Sequence, residues 1–341
     1  MIKTMKTIKL MPIAMAATLL VAAASCQKTK RGEYVDGAAT VYCDDGFKNI
    51  LGEEIEVFEY TYPKTSVIPY YVSETEALNA IMEDKTDIAI TTTELTKDQI
   101  KYVKAKLKKI VRQKCIAVDA VAFITNKDNP VDELSLDEVR DIMNGKITRW
   151  HQIAGKDTTR IKLIFDNAGS STVSFLRDRF LGGKGEISKL TYSQAVKNNA
   201  QVFDYIKKDP NAIGVISVSW LGDSLENAKK VPLDKRVMSY KNETDTVARE
   251  LTTEVNVLAI SNPNEENDFT PIAYKPYQAY IATGEYPLFR KVYMISTASN
   301  SSVAHSFFAF VTGFVGQKII TMTGILPYEM HKRVVNVVNN K

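Results

Sequence analysis

From residue 38 onward, short apolar runs of strand length alternate with amphipathic stretches of helical length, and few folds accept such a pattern. Residues 38–43, 67–72 and 87–91 read as strands. Phe47, Ile50, Leu51, Ile55 and Phe58 mark one face of a helix, and residues 74–82 read as a second helix. Strands joined by crossover helices predict a parallel sheet. A helix over 96–106, with Thr96 as its N-cap, leads into a strand over 109–118. A second set follows, with strands over 120–125, 161–165 and 213–218 and helices over 135–143 (capped by Ser135), 171–180 and 202–207. Residues 231–250 are polar and poorly periodic. Apolar runs return at 255–260, 278–282 and 292–295, and a long apolar helix covers 303–314. At 341 residues the chain exceeds the roughly 250–300 at which one core stops growing. The expected class is therefore α/β with two lobes, each a mostly parallel sheet flanked by helices. Residues 37–118 plus 250–341 form lobe 1, residues 119–249 form lobe 2, and crossings near 115–118 and 247–253 serve as hinges.

The amino terminus stands outside that pattern. Lys3, Lys6 and Lys9 precede an apolar run over 10–24 that ends in small residues, which predicts an export signal over 1–25. The run is shorter than the ~20 residues of a membrane-spanning helix. Ala23-Ala24-Ser25-Cys26 resembles a bacterial lipobox, in which Cys26 becomes the acylated first residue and 26–36 a polar tether; ordinary cleavage in the same Ala-rich stretch is the alternative. The expected location is the periplasm or cell envelope, lipid-anchored to a bacterial membrane. Such a compartment permits a disulfide, so Cys43 and Cys115 are either bridged or two buried thiols.

Charge and rare residues exclude several functions. Removing 1–25 takes three of the 44 basic residues and none of the 40 acidic ones, so the exported chain is close to neutral and no nucleic-acid partner is expected. The basic cluster running from Lys97 to Lys114 reads as a solvated helix face. Three His and three Cys leave little material for a zinc site. His151, His305 and His331 lie in unrelated segments, and no Gly-x-Ser-x-Gly elbow occurs. No catalytic residue, metal or cofactor is expected, and the chain is expected to be a monomer.

Open α/β sheets take ligands outside the carboxyl ends of their strands, so two facing lobes predict a cleft. Its edges are the loops Asp44-Asp45-Gly46, Ser73-Glu74-Thr75, Thr91-Thr92-Thr93 and 166–172. Serine and threonine are dense there and precede helices, where free backbone N–H groups collect and favour an anion. The same residue types are ordinary helix caps. Gly169-Ser170-Ser171-Thr172 is the strongest of these signals.

Tyr286-Pro287-Leu288-Phe289-Arg290-Lys291-Val292-Tyr293, then Gly316-Gln317-Lys318-Ile319-Ile320 and Gly324-Ile325-Leu326-Pro327, resemble the late motifs of the PstS family. These are the phosphate-specific substrate-binding proteins of high-affinity phosphate ABC transporters. Val118-Asp119-Ala120-Val121-Ala122, Asn129-Pro130, Gly145-Lys146-Ile147-Thr148-Arg149-Trp150 and Ala212-Ile213-Gly214-Val215 fall in that family's order. The resemblance implies the two-lobed type II periplasmic-binding-protein fold, capture of inorganic phosphate by hinge closure, and delivery to an ABC transporter permease. It also implies ligand contacts from Asp45, Gly46, Ser73, Thr91, Thr92, Asp166, Gly169, Ser170, Ser171 and Thr172.

The chain departs from the family at its anion clamp. The family's Arg-x-Asp-Gly-Ser-x-Thr reads Asp166-Asn167-Ala168-Gly169-Ser170-Ser171-Thr172 here, so Ser170 and Thr172 match, while Asp166 stands for the Arg and Ala168 for the Asp. Thr91 matches a family Ser, Thr92 replaces an acid, and Ser73 lacks the family's neighbouring glycines. An Arg gives a phosphate two parallel charged donors, whereas a carboxylate repels the dianion unless it meets a ligand proton. Asp45 or Asp166 is a candidate to accept a hydrogen bond from protonated phosphate, and Arg149, Arg177 or Arg179 is a candidate replacement cation. The alternative reading is a drifted cleft with a sensing, scaffold or adhesive role, or a different ligand.

Overall fold

The computed structural model describes residues 36–222, 230–242, 250–262 and 271–329; the expected export signal, Cys26 and nearly all of the tether lie outside the described residues. The chain begins β1 (Gly37–Asp44), α1 (Lys48–Thr61), β2 (Thr65–Val72), α2 (Glu74–Met82), β3 (Ile88–Thr91), α3 (Lys97–Tyr102). It continues β4 (Arg112–Thr125), β5 (Glu133–Ser135), α4 (Leu136–Met143), β6 (Lys162–Phe165), α5 (Ser171–Phe180), β7 (Ser193–Ala195), α6 (Asn199–Ile206) and β8 (Ala212–Ser217). The remainder is α7 (Leu233–Lys241), β9 (Asn256–Val257), β10 (Ala259–Ser261), β11 (Ala273–Tyr274), α8 (Gln278–Thr283), β12 (Phe289–Ser296), α9 (Val303–Val311), α10 (Phe314–Met322) and β13 (Leu326–Pro327).

Helix starts follow capping chemistry. Ser73, Ser135, Ser170 and Asn198 each accept a backbone N–H in the first turn of α2, α4, α5 and α6, and Thr96 forms a capping box with Gln99 at α3. Each such cap contributes about 1 kcal/mol.

The main sheet has strand order β2-β1-β3-β12-β4-β8-β6-β7, with β13 and β9 also pairing to β4. β1 runs parallel to β2 and β3, and β6 runs parallel to β7 and β8, as crossover helices require. Antiparallel β12 and β4 join the two parallel groups. The strands expected over 109–118 and 120–125 are one strand, β4, whose residues 112–120 pair with β12 and 121–125 with β8. The chain runs straight through Asp119 because its buried carboxylate is met by Arg290 and Ser217 instead of by solvent.

One buried cluster holds Ala120–Ile124, β6 and β8 residues and the α4 face; another holds Ala77, Ile81, Ala89, Leu95, Val103 and Ile295. Val255, Leu258, Ile260, Ile281, Tyr286 and Leu288 belong to the first of these, although the sequence assigned 250–341 to lobe 1. Pairing of β9 with β4 and of β10 with β5 draws that segment across. The stretch expected to be irregular contains α7, which docks on α1 through polar contacts: Arg236 bonds Glu53 and, at 2.8 Å, Glu56, and Tyr240 Oη donates to Glu53 at 2.9 Å. The long helix expected over 303–314 ends at Val311, and α10 follows at a bend of 59°. Among the described residues no single helix is long and apolar enough to cross a membrane. Cys43 and Cys115 are free thiols, the first buried and the second half-buried.

Candidate binding site

The carboxyl ends of β1, β6 and β8 converge on a buried polar cluster built around the N-termini of α5 and α6. Ser170 caps α5, and its Oγ donates to Asp166 Oδ1 at 2.5 Å. Ser171 follows in the first turn, and its N–H and Oγ donate to the two oxygens of Asp44, each at 3.0 Å. Asp44 also accepts from the Gly46 N–H at 3.0 Å. Bonds to an ionised acceptor contribute about 1.5–3 kcal/mol each, more than neutral ones. Asp45 reaches α6 in the same manner, accepting the Asn199 N–H at 2.9 Å and its Nδ2 at 3.1 Å. Asn199 Nδ2 also donates to Asp166 Oδ2 at 3.2 Å.

Gly46 permits this approach. A β-carbon there would lie 2.8 Å from Asp44 Oδ1, closer than any side chain tolerates. Its carbonyl accepts from Ser219 Oγ at 2.6 Å, which ties the β1–α1 loop to the end of β8. Gly169 lies against the α2 loop, where an added β-carbon would stand 3.3 Å from Ser73.

The cation of the cluster is Arg290 on β12, 5% exposed. Its Nε donates to Asp119 Oδ2 at 3.0 Å, its Nη2 reaches the same oxygen at 3.0 Å and Thr172 Oγ1 at 3.4 Å, and its guanidinium lies over the Phe47 ring. Nη1 is buried with no hydrogen-bond partner. Asn199 Oδ1 is a second buried atom without one. A guanidinium N–H is a charged donor of the kind that suits an oxyanion.

Carboxyls outnumber this cation, and burial raises the pKa values of Asp44, Asp119 and Asp166. Asp44 is pushed up to about 6, chiefly by burial, with Arg290 and the Ser171 N–H opposing and Glu74 adding. Asp166 goes up to about 7 through burial and then the Asp44 charge, against the Ser170 hydroxyl and Arg290. Asp119 is raised by burial despite Arg290 and Ser217.

Of the residues expected from sequence, Asp45, Gly46, Asp166, Ser170, Ser171 and Thr172 meet in this cluster, and Gly169 and Ser73 face each other at its edge. Thr91 and Thr92 stand apart: Thr91 Oγ1 donates to Thr93 O, and the Thr92 N–H and Oγ1 donate to Glu74 at 2.5 and 2.8 Å. The candidate cations Arg149 and Arg179 are exposed, and Arg177 pairs with its neighbour Asp178. Arg290, Asp119, Asn199 and Ser217 were not expected in the site, and Asp44 was named only as part of a cleft-edge loop. A signal for Arg290 existed, because it falls on the inward phase of β12 with Val292 and Met294. Among the described residues no group of three or more His, Cys, Asp or Glu side chains is arranged to hold a metal.

A family model described as a PBP superfamily domain matches residues 28–313. The phosphate-binding protein PstS of Borreliella burgdorferi is 26% identical over 162 residues, which cover 45% of this chain and 54% of that protein. The phosphate-binding protein PstS of Bacillus subtilis is 25% identical over 213 residues, 62% of this chain and 56% of that protein. The chain thus spans about half the length of the curated relatives it matches. A solved structure of a putative phosphate ABC transporter substrate-binding protein with bound phosphate, from Clostridium perfringens, superposes with a TM-score of 0.64 at 19% identity, covering 86% of this chain and 100% of that one. At that identity the likeness establishes the fold.

Proposed function

The chain belongs to the PBP superfamily, and from that premise we propose that it is an exported solute-binding protein that captures inorganic phosphate and delivers it to an ABC transporter permease. One observation carries the ligand class: the N-terminus of α5, with the hydroxyls of Ser170, Ser171 and Thr172, lies buried beside Arg290, whose Nη2 reaches Thr172 Oγ1 at 3.4 Å and whose Nη1 has no hydrogen-bond partner. Helix N–H groups, hydroxyls and a guanidinium are the donors an oxyanion needs. The names of the relatives, each a phosphate-binding protein, support the choice of phosphate over the drifted-cleft alternative.

Two lobes hinged along β4 and β12 close over the anion. The first carries β1–β3, and the second, with its core on β6 and β8, extends to about residue 288. Closure needs only that the anion favour the closed arrangement over the open one. The protein so proposed is exported by the signal over 1–25 and anchored to a bacterial membrane through an acylated Cys26, in the periplasm or cell envelope.

Calorimetric titration of the folded mature chain with phosphate, and with sulfate as control, tests this function. Micromolar or tighter phosphate binding with sulfate silent supports it. Silence with both anions rejects it.

A further inference from the structure

The donors that this site offers to an anion are engaged by carboxylates of the chain itself. Asp44 takes the Ser171 N–H and hydroxyl at the start of α5, and Asp45 takes the Asn199 N–H at the start of α6. Asp44 and Ser171 lie 127 residues apart in sequence, so this contact joins the β1 loop to the far half of the molecule. An oxyanion seated against Arg290 Nη1 competes for the same α5 donors.

We propose that Asp44 is an internal competitor of the bound oxyanion: its ionised carboxylate latches the β1 loop to the N-terminus of α5, and phosphate binds when that carboxyl takes up a proton and releases Ser171. This inference rests on the oxyanion-binding reading above and adds to it the residue that sets affinity and its dependence on pH.

Three observations converge on Asp44. It is fully buried, so its charge is not screened by water. The groups facing it are mostly acidic: Asp45 on its own loop, Glu74 on α2 and Asp166 before α5, with Arg290 of β12 as the opposing cation and the Cys43 thiol behind. An oxyanion arriving among these carboxylates meets like charge, and protonation of Asp44, the one bonded to Ser171 of α5, converts a repelling acceptor into a donor. Burial already holds Asp44 at about 6, so its charge changes within the range that a titration from pH 6 to pH 8 samples. Arg290 alone does not neutralise the cluster, because Asp119 engages two of its nitrogens.

If binding requires the neutral carboxyl, the competent fraction is about 1% near pH 8 and about half near pH 6, so apparent affinity rises about 50-fold between them. The experiment measures phosphate affinity by calorimetry over that range for the wild type and for Asp44→Asn, which keeps an acceptor for Ser171 but carries no charge. Phosphate's own titration cancels in the ratio of the two proteins. The expected result is that Asp44→Asn binds more tightly than the wild type near pH 8, with the advantage shrinking on acidification. An Asp44→Asn protein that binds phosphate no more tightly than the wild type near pH 8, with a parallel pH profile, overturns the latch and leaves the phosphate reading standing. Absence of binding in both folded proteins at every pH overturns the phosphate reading itself, and the latch with it.

Discussion

Arg290→Met removes the guanidinium while keeping most of the side-chain volume on the inward face of β12. In the native protein Arg290 meets Asp119 through Nε and Nη2, both at 3.0 Å, with neither side chain more than 3% exposed. Without it, Asp119 retains only the Ser217 hydroxyl, at 3.0 Å, among its side-chain partners. Removing one member of a buried pair costs about 3–5 kcal/mol, because the remaining charge is left uncompensated in a poorly polarisable interior. The pH dependence has a definite sign. Burial holds Asp119 above the usual carboxylate range even beside Arg290, and the variant raises it further. The folded variant then binds a proton that the unfolded chain releases, so its deficit is smallest near the ordinary carboxylate pKa of about 4 and grows as pH rises. Urea unfolding at a series of pH values reads both quantities, and Asp119→Asn combined with Arg290→Met is expected to recover most of the loss at neutral pH. A loss below about 1 kcal/mol at neutral pH, or one independent of pH, refutes the pairing.

Three further outcomes follow from particular sites. Glu54 is buried with both carboxyl oxygens unpartnered beside an apolar void of about 10 Å³, and burial drives its pKa well up, so Glu54→Met is expected to raise stability by about 1–3 kcal/mol at neutral pH in urea unfolding. Gly214→Ala places a β-carbon 2.7 Å from Ile206, 2.8 Å from Ile124 and 3.0 Å from Val202, and overpacking there is expected to cost about 1–3 kcal/mol, read from the thermal midpoint. Asp44 and Asp166 have raised pKa values of about 6 and about 7, so their stabilisation is complete below about pH 4 and is lost as pH rises through those values; Asp44→Asn is expected to remove a part on the order of 3 kcal/mol of that fall, measured as unfolding free energy near pH 4 and pH 8.

Much of the fold was legible because local chemistry and periodicity agreed. Ser73, Ser135 and Ser170 mark helix starts in the sequence and cap helices in the structure. The parallel groupings followed from strands separated by helix-length segments. What escaped was stabilised by polar contacts between distant segments. α7 presents little apolar periodicity because Arg236 and Tyr240 hold it to Glu53, and nothing local in its sequence announces that partnership. β4 read as two strands because Asp119 looks like a break until Arg290 is beside it. The hydroxyls of the site were visible as helix caps, while its cation lay 118 residues beyond Thr172 and was recognisable only from its inward phase in β12. The boundary at residue 250 followed chain order, whereas side chains up to Leu288 pack with the β4, β6 and β8 core.

The most direct test of the account is a crystal structure of the mature protein at saturating phosphate and acidic pH. The account predicts phosphate oxygens within hydrogen-bond distance of Arg290 Nη1 and of the Ser170–Thr172 hydroxyls or N–H groups, with the Asp44 carboxyl withdrawn from Ser171. A structure in which Asp44 still holds Ser171 while phosphate is absent from this cluster, or lies elsewhere on the molecule, contradicts it.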